Sequence, residues 1–529
     1  MNKFIITNSM INLIDFIKAA NDFSCVISYD EIVRKQIIES RQILEDLVEN
    51  GKIIYGVNTG MGGFVNFLVP TEHAEKLQNN LLQSVATNVG DYFDDYIVRT
   101  IMLARLISLS KGASAISIEN FEVLLKMINA NILPCVPTKG SLGASGDLGP
   151  LAFIALAGVG KWKAKYKGKI VPGDVALKQA GIKPMCLHYK EGLALVNGTS
   201  AMVGLATNVY NSAYNLLQYY EYISALTFEG LQATKDPLNP VVHKMKKHKG
   251  QHYFAKKVWD ILCDSTLATN ESDRELSIQM YNEHEVKGVK EQIEDAYSLR
   301  CTPQILGPIY DSMEFICEIL QNELNSVSDN PLIITSEKRA FHNGHFHGQY
   351  ISVAMDILSI NLTTLSNLSD RRIDRFMDKN NSNGLPPFLC KEEQGLRMGL
   401  MGGQFMSTSI TAENRALCVP LSIQTLPSTG DFQDIVSFGL IAARRCSEIL
   451  NNVIYVISFE VLCACQAVEM RETNKMSYFT HALFEEIRKI VPYLKQDITI
   501  NPYIEAIHKM FSDNILLNKL KRIEYERSR

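Results

Sequence analysis

Two long apolar stripes limit what this chain can fold into. Ile309, Met313, Ile316, Leu320 and Leu324 recur at intervals of three or four, which lays one apolar face along about five helical turns. The stripe stops at Ser328-Asp329-Asn330-Pro331, because proline lacks an amide donor and restricts the residue before it. Met355, Leu358, Leu362 and Leu365 form a second stripe ahead of the charged run at 370–375. Helices with such faces need partners, so a bundle is the economical architecture. Residues 30–50, 71–128 and 191–225 repeat the helical spacing with turn signals between them. The apolar region 434–470 is broken by Arg444, Arg445, Glu448, Asn451, Asn452 and Glu460, and reads as core helices rather than a membrane span. The predicted fold is mainly α: an N-terminal domain over 1–205, then a long helical bundle and C-terminal helical region over 206–529. Three short β features interrupt it. Lys52-Ile53-Ile54-Tyr55 reads as a strand, 162–171 as a solvent-exposed hairpin, and 332–342 as a second small hairpin.

Against that background, Gly140-Ser141-Leu142-Gly143-Ala144-Ser145-Gly146-Asp147-Leu148-Gly149-Pro150 stands out, with four glycines in eleven positions. Glycine removes the Cβ that keeps an amide away from a carbonyl two residues earlier. In Ala144-Ser145-Gly146 the Gly146 nitrogen can approach the Ala144 carbonyl carbon. Ring closure and loss of two waters would then turn Ser145 into an exocyclic methylidene, an electrophile no ordinary side chain supplies. Read alone, the loop is more simply a flexible connector or a phosphate cradle; a P-loop fails because no Gly-Lys-Ser/Thr follows. Gly56-Val57-Asn58-Thr59-Gly60-Met61-Gly62-Gly63 misses the dinucleotide fingerprint spacing and reads better as a mobile flap.

Composition narrows the remaining classes. The 529 residues carry a net charge of −4, which gives no general attraction to nucleic acid or anionic membrane. Between His243 and Lys257 three histidines and six lysines cluster, but only Tyr253 and Phe254 could stack on bases, so a solvated face is predicted. Eleven scattered cysteines without a Cys-x-x-C pair point to reduced thiols in a cytoplasmic protein. The first twenty residues lack a clean signal-peptide core. His342, His345 and His347 invite a metal, yet no Cys or carboxylate partner stands at ligand spacing, and none is predicted.

The Ala-Ser-Gly loop resembles the prosthetic-group segment of the aromatic amino acid ammonia-lyases and aminomutases, and similar motifs recur along nearly the whole chain. The resemblance implies an autocatalytic methylidene-imidazolone (MIO) from Ala144, Ser145 and Gly146. It also implies Tyr55 as catalytic base, with its phenol lowered from a reference near ~10 by positive charge or hydrogen bonds. By the same resemblance Tyr297 supports the base or substrate, and Asn197 hydrogen-bonds and polarises the prosthetic group. Arg300 binds the substrate carboxylate, for which a planar fork of donors is suited, and Asn330 assists. Phe346 lines the site, and Glu413 holds or relays a proton near the amine. Gln433 follows Phe432, where many lyases of the family carry Asn; a bulky apolar residue there narrows the pocket.

Val85 falls where members selective for histidine and tyrosine carry His, and it can bond neither an imidazole nor a phenol. L-Phenylalanine is therefore the expected substrate. The flap sequence, Phe432 and the segment Arg371 to Asp378 look most similar to bacterial phenylalanine and tyrosine 2,3-aminomutases of antibiotic biosynthesis. That implies conversion to β-phenylalanine through cinnamate in a homotetramer with active sites built from several subunits. The alternatives are an ammonia-lyase that releases cinnamate, a catalytically inactive helical scaffold, and a nucleotide-binding enzyme.

Overall fold

The computed structural model describes residues 2–277, 286, 288 and 292–527. The chain is mostly helical, at 59%. It divides into two units, each drawn from three segments. The first comprises Met1–Asn211, Ile316–Asp356 and Pro420–Cys446; the second comprises Ser212–Phe315, Ile357–Val419 and Ser447–Arg529. A single cut after residue 205 is not what the chain does. Four of its five boundaries fall within the long helices Ser200–Leu231, Thr302–Leu324, Gln349–Met377 and Gly439–Glu469, and later segments return to the first unit.

The first stripe is the buried face of helix Thr302–Leu324: Ile309, Met313, Ile316, Leu320 and Leu324 are all buried. The second behaves alike in Gln349–Met377, where Met355, Leu358, Leu362 and Leu365 are buried. That helix and Gly439–Glu469 are apolar and long enough to cross a bilayer, but 67% and 78% of their most apolar windows lie inside the protein. They are core helices. In the second unit, Arg372 and Glu460 form a wholly buried ion pair at 3.3 Å. Such a pair persists only when its other polar atoms are satisfied. Here Tyr220 Oη and Thr227 Oγ1 donate to Glu460, while Arg372 donates to the Ser298 carbonyl and Thr302 Oγ1.

The first unit has small sheets around its helices. Lys3–Ile6 pairs in parallel with Val26–Tyr29, and Leu332–Ile334 pairs antiparallel with Arg339–Phe341, matching the second predicted hairpin. The 162–171 hairpin forms, as Lys163–Tyr166 with Lys169–Pro172, but it is not merely exposed decoration. Leu133–Pro134 adds a third strand, and Ala164 and Tyr166 are buried beneath it. Lys52–Tyr55 is not a strand. No ladder partner reaches it, and the Ile54 amide instead donates to Asn58 Oδ1 at 2.8 Å. Ile54 and Val57 anchor this stretch in one core cluster with Ile43, Leu44, Val48, Ala115 and Ile333.

Candidate active site

Strand Pro137–Lys139 pairs with Val89–Tyr92 and delivers the chain to Gly140; helix Leu148–Gly158 carries it away. Between them the backbone turns sharply enough for Ala144 to pair with Gly146. Gly143 and Gly146 sit at φ +71° and +69°, the left-handed region that a side chain disfavours. A Cβ on Gly146 would collide with the Gly198 carbonyl, and one on Gly143 with Ser437 Oγ. The loop is sewn down on two sides. Gly198 N donates to the Ser145 carbonyl at 3.3 Å and Asp147 N to the Gly198 carbonyl at 2.8 Å. Phe438 N donates to the Leu142 carbonyl at 3.0 Å, and Ser437 Oγ to the Gly143 carbonyl at 3.1 Å. Beneath it, buried Asp147 accepts from Ser141 Oγ at 2.9 Å and Met202 N at 2.6 Å. Burial pushes its carboxyl up to about 7 despite those bonds.

Ser145 opens onto a cavity of about 1160 Å³ within the first unit. One wall is the flap, Tyr55 and Thr59 to Val65; another is helix Ala74–Val85, through Leu77, Asn80, Leu81, Ser84 and Val85. Leu193, Asn197, Asn330, His342, Asn343 and Phe346 add a third, and Thr429, Gly430, Phe432 and Gln433 close the rim. Tyr55, Val85, Ser145, Asn197, Asn330, Phe346, Phe432 and Gln433, all singled out in the sequence, therefore meet at one cavity. Ala144 and Gly146 flank Ser145 in the chain and are not themselves lining residues. Gln433 Nε2 donates to Ser145 Oγ at 2.9 Å.

The other three candidates belong to the second unit and are not among the lining residues. Tyr297 is exposed, with Arg300 stacked over its ring at 4.8 Å. Arg300 pairs with Glu294 at 2.9 Å, and Glu413 is exposed on helix Met401–Leu417. The lining itself contains no Arg, Lys, Asp or Glu. It suits an aromatic ring, while a carboxylate's cationic partner must come from outside it. His342, His345 and His347 do not gather as ligands, and no cluster of three metal-ligating side chains occurs among the described residues.

Three local arrangements decide what the lining can do. Tyr55 Oη accepts from Gly62 N at 2.9 Å, which favours phenolate, but burial outweighs that bond and raises the phenol above its ordinary value of 10.0. The lowering that a base requires is therefore not supplied by these neighbours. Asn197 spends both amide hydrogens, on Asp329 Oδ1 at 3.1 Å and the Asn330 carbonyl at 3.0 Å. It can polarise a carbonyl only if one of these bonds yields. Asp329 is in turn held by Lys190 at 2.5 Å, both side chains fully buried, and the Lys190 ammonium also donates to the Ser114 carbonyl. Asn330 Oδ1 accepts from Asn343 N at 2.7 Å.

Residues 11–489 match the profile of the aromatic amino acid lyases. The chain belongs to this family. Within the aromatic amino acid lyases it is 37% identical over 489 residues to histidine ammonia-lyase of Natranaerobius thermophilus, covering 92% of this chain and 93% of that one. Its structure superposes on phenylalanine aminomutase of Pantoea agglomerans with a TM-score of 0.93 and 54% identity, covering 97% of this chain and 99% of the other. Tyrosine aminomutase of Streptomyces globisporus follows with a TM-score of 0.94 and 34% identity, covering 98% of each chain. The protein is thus an enzyme of the lyase and aminomutase type, with that fold. Aromatic amino acid lyases are generally MIO-dependent. The residues here fit that group: the two whose atoms would close the ring already pair, glycine stands where a Cβ would block the turn, and Ser145 faces the cavity.

Sequence reasoning missed several supports of this site. Gln78 was visible only as part of a helix, and His342 only as a metal candidate. Lys190 gave no signal and Asp329 only that of a helix stop, because nothing local marks two residues 139 apart as an ion pair.

Proposed function

We propose that this enzyme is a MIO-dependent 2,3-aminomutase that converts L-phenylalanine to β-phenylalanine through a retained cinnamate. The observation carrying the reading is the 54% identity to a phenylalanine aminomutase over nearly the full length of both chains, against 34% to a tyrosine aminomutase. Val85, Leu81 and Leu77 offer a ring no hydrogen-bond partner, which supports that preference, while Asn80 and Ser84 are the polar residues of the same wall.

The MIO, formed from Ala144, Ser145 and Gly146, supplies the electrophile that makes the α-amine a leaving group. The chain's own residues do the rest. Tyr55 Oη takes the β-proton as the C–N bond breaks, and returns a proton to the α-carbon when ammonia is added at the β-carbon. No atom is gained or lost overall. Gln433, bonded to Ser145 Oγ, and Asn197 position the electrophilic segment; Asn330 and Phe346 fix the substrate's ends against it. Arg300, Tyr297 and Glu413 act in the active site of a homotetramer, where neighbouring copies supply the cation and the second tyrosine that the cavity lining lacks. Positive charge brought up in this way opposes the burial that raises the Tyr55 phenol. The scattered free thiols suit a cytoplasmic enzyme.

The test is incubation with L-phenylalanine, following β-phenylalanine, cinnamate and ammonia, alongside intact mass. A chain two waters lighter than its codons that forms β-phenylalanine supports the reading. Free cinnamate and ammonia alone would assign it as a lyase, the second reading, which the 36–37% identity to named histidine ammonia-lyases favours.

A further inference from the structure

Behind the wall that Asn197 and Asn330 give to the cavity lies a charged network that the reaction steps above do not use. Lys190, Asp329 and Arg105 are all buried there. Arg105 donates from Nε to the Ala194 carbonyl at 3.0 Å and from Nη1 to the Ser328 carbonyl at 3.2 Å, joining the helix that ends at Asn197 to the residue before Asp329. Lys190 stands at the head of that helix, Glu191–Val196, in the left-handed region at φ +63°, where a side chain is disfavoured. A strained lysine and a buried ion pair both cost stability. What they hold in place is Asn197.

The Asp329 carboxylate is the hub. Its Oδ2 accepts from Lys190 Nζ, while its Oδ1 accepts from Asn197 Nδ2 at 3.1 Å and from the Asn330 amide at 2.7 Å. The other hydrogen of Asn197 Nδ2 goes to the Asn330 carbonyl at 3.0 Å. An ionised carboxylate and a carbonyl can only accept, so the Asn197 carboxamide has one orientation, with its nitrogen toward Asp329 and Asn330. Its Oδ1 is left without a hydrogen bond among the described residues. Asn197 lines the cavity beside Ser145, and the next residue, Gly198, donates to the Ser145 carbonyl. An amine brought to position 145 therefore meets an acceptor at Asn197, in a lining without acidic side chains.

We propose that Lys190 and Asp329 are positioning residues that lock Asn197 with its carboxamide oxygen toward the substrate amine, so that Asn197 binds that amine as an acceptor instead of polarising a carbonyl as a donor. The assignment rests on elimination of an amino acid's amine, common to the lyase and aminomutase readings, and not on the choice between them. Asp329→Asn tests the lock. Lys190 has only donors and takes the new amide's oxygen, which turns the NH2 group on Asn197 Nδ2 and drives that carboxamide over. Adding Lys190→Met removes the competing donor and lets the oxygen return to Asn197. The apolar pair Lys190→Met with Asp329→Leu leaves no buried charge and nothing to hold Asn197.

Binding is read by calorimetry in Ser145→Ala protein, where turnover does not intervene. The ligands are L-phenylalanine and cinnamate, which share ring and carboxylate but not the ammonium. Asn197→Ala and D329N should each weaken L-phenylalanine about tenfold or more and leave cinnamate within about twofold. K190M/D329N should recover most of that loss. With Ser145 restored, kcat/KM should fall about 10- to 100-fold in D329N, and no further when D329N is added to Asn197→Ala. Equal loss of both ligands overturns the acceptor role, as does unchanged affinity for L-phenylalanine in Asn197→Ala. A D329N loss that adds in full to that of Asn197→Ala, or that persists in K190M/D329N, overturns the lock. Should D329N fail to fold, K190M/D329L replaces it: the same selective loss supports the lock, and retained affinity overturns it. If the Ser145→Ala protein binds neither ligand, the phenylalanine reading falls, and L-histidine with its acrylate enters the same comparison.

Discussion

Two glycine-rich loops face each other across the same cavity, and they are built on opposite principles. The loop around Ser145 is cross-linked by backbone bonds to Gly198 and Phe438 and by Ser437, with a Cβ excluded at Gly143 and Gly146. The flap after Tyr55 is bonded chiefly to itself, and its Gly62 would admit a Cβ into open space. Glycine serves close approach to other segments in the first; in the flap Gly56 and Gly60 also allow close approach, and Gly62 supplies freedom to turn. An electrophile gains from being held still, since orientation is established before reaction, whereas a base on a gate must move to admit substrate.

The largest expected effect tests the rigid loop. Ser145→Ala removes the hydroxyl whose loss as water creates the methylidene, and turnover should fall by about a thousandfold or more, with at least one of the two missing waters regained. Gly146→Ala should do the same for a different reason, because its side chain meets the Gly198 carbonyl at positive φ; a thermal midpoint lower by several degrees should accompany it. If Gly146→Ala matured normally, the contrast between the loops would be wrong.

Next comes the base. Tyr55→Phe should cost about a hundredfold or more in kcat. Burial raises the Tyr55 phenol above 10.0, so only a minor phenolate fraction exists at neutral pH. The sign follows: wild-type kcat/KM should climb with pH by up to about tenfold per unit on the alkaline side of neutrality, and Tyr55→Phe should lose that slope. A wild-type profile flat from neutral to alkaline pH would show that charge in the assembled enzyme overcomes the burial that raises this phenol.

Smaller effects sharpen the flap's side of the comparison. Gln78→Leu leaves the Gly56 carbonyl and Leu193 amide without their partner, and should cost about 1–3 kcal/mol in denaturant unfolding while raising KM. Gly62→Ala should cost only about 1–2 kcal/mol, from its φ of +56° alone, and leave the mass deficit intact. The comparison fails if Gly62→Ala proves as damaging as Gly146→Ala.

Much of the helical framework was legible because helical periodicity is local. The five residues of the stripe from Ile309 to Leu324 are buried on one helix, and the stop at Asn330-Pro331 leads directly into the small hairpin beside the cavity. The failures share a cause. Lys52–Tyr55 has strand-like residues but no neighbouring strand, so Asn58 takes the Ile54 amide instead. The hairpin at 162–171 alternates as predicted, yet it belongs to a three-stranded sheet in which Ala164 and Tyr166 are buried. Arg300, Tyr297 and Glu413 are grouped with the site by resemblance alone, since they belong to the second unit and are not among the residues that line the cavity.

By itself the sequence determined the mainly helical class, the tight Ala-Ser-Gly turn and the residue types available for chemistry, because spacing and glycine act over a few residues. Only the tertiary structure decided which of those residues converge. It brought Tyr55, Ser145, Asn197, Asn330 and Gln433 to one neutral cavity, and committed both amide hydrogens of Asn197. It also gave His342 and Gln78 to the flap root. Hydrogen bonds between distant residues depend on where the packed helices place them, and that information is not local to any stretch of chain.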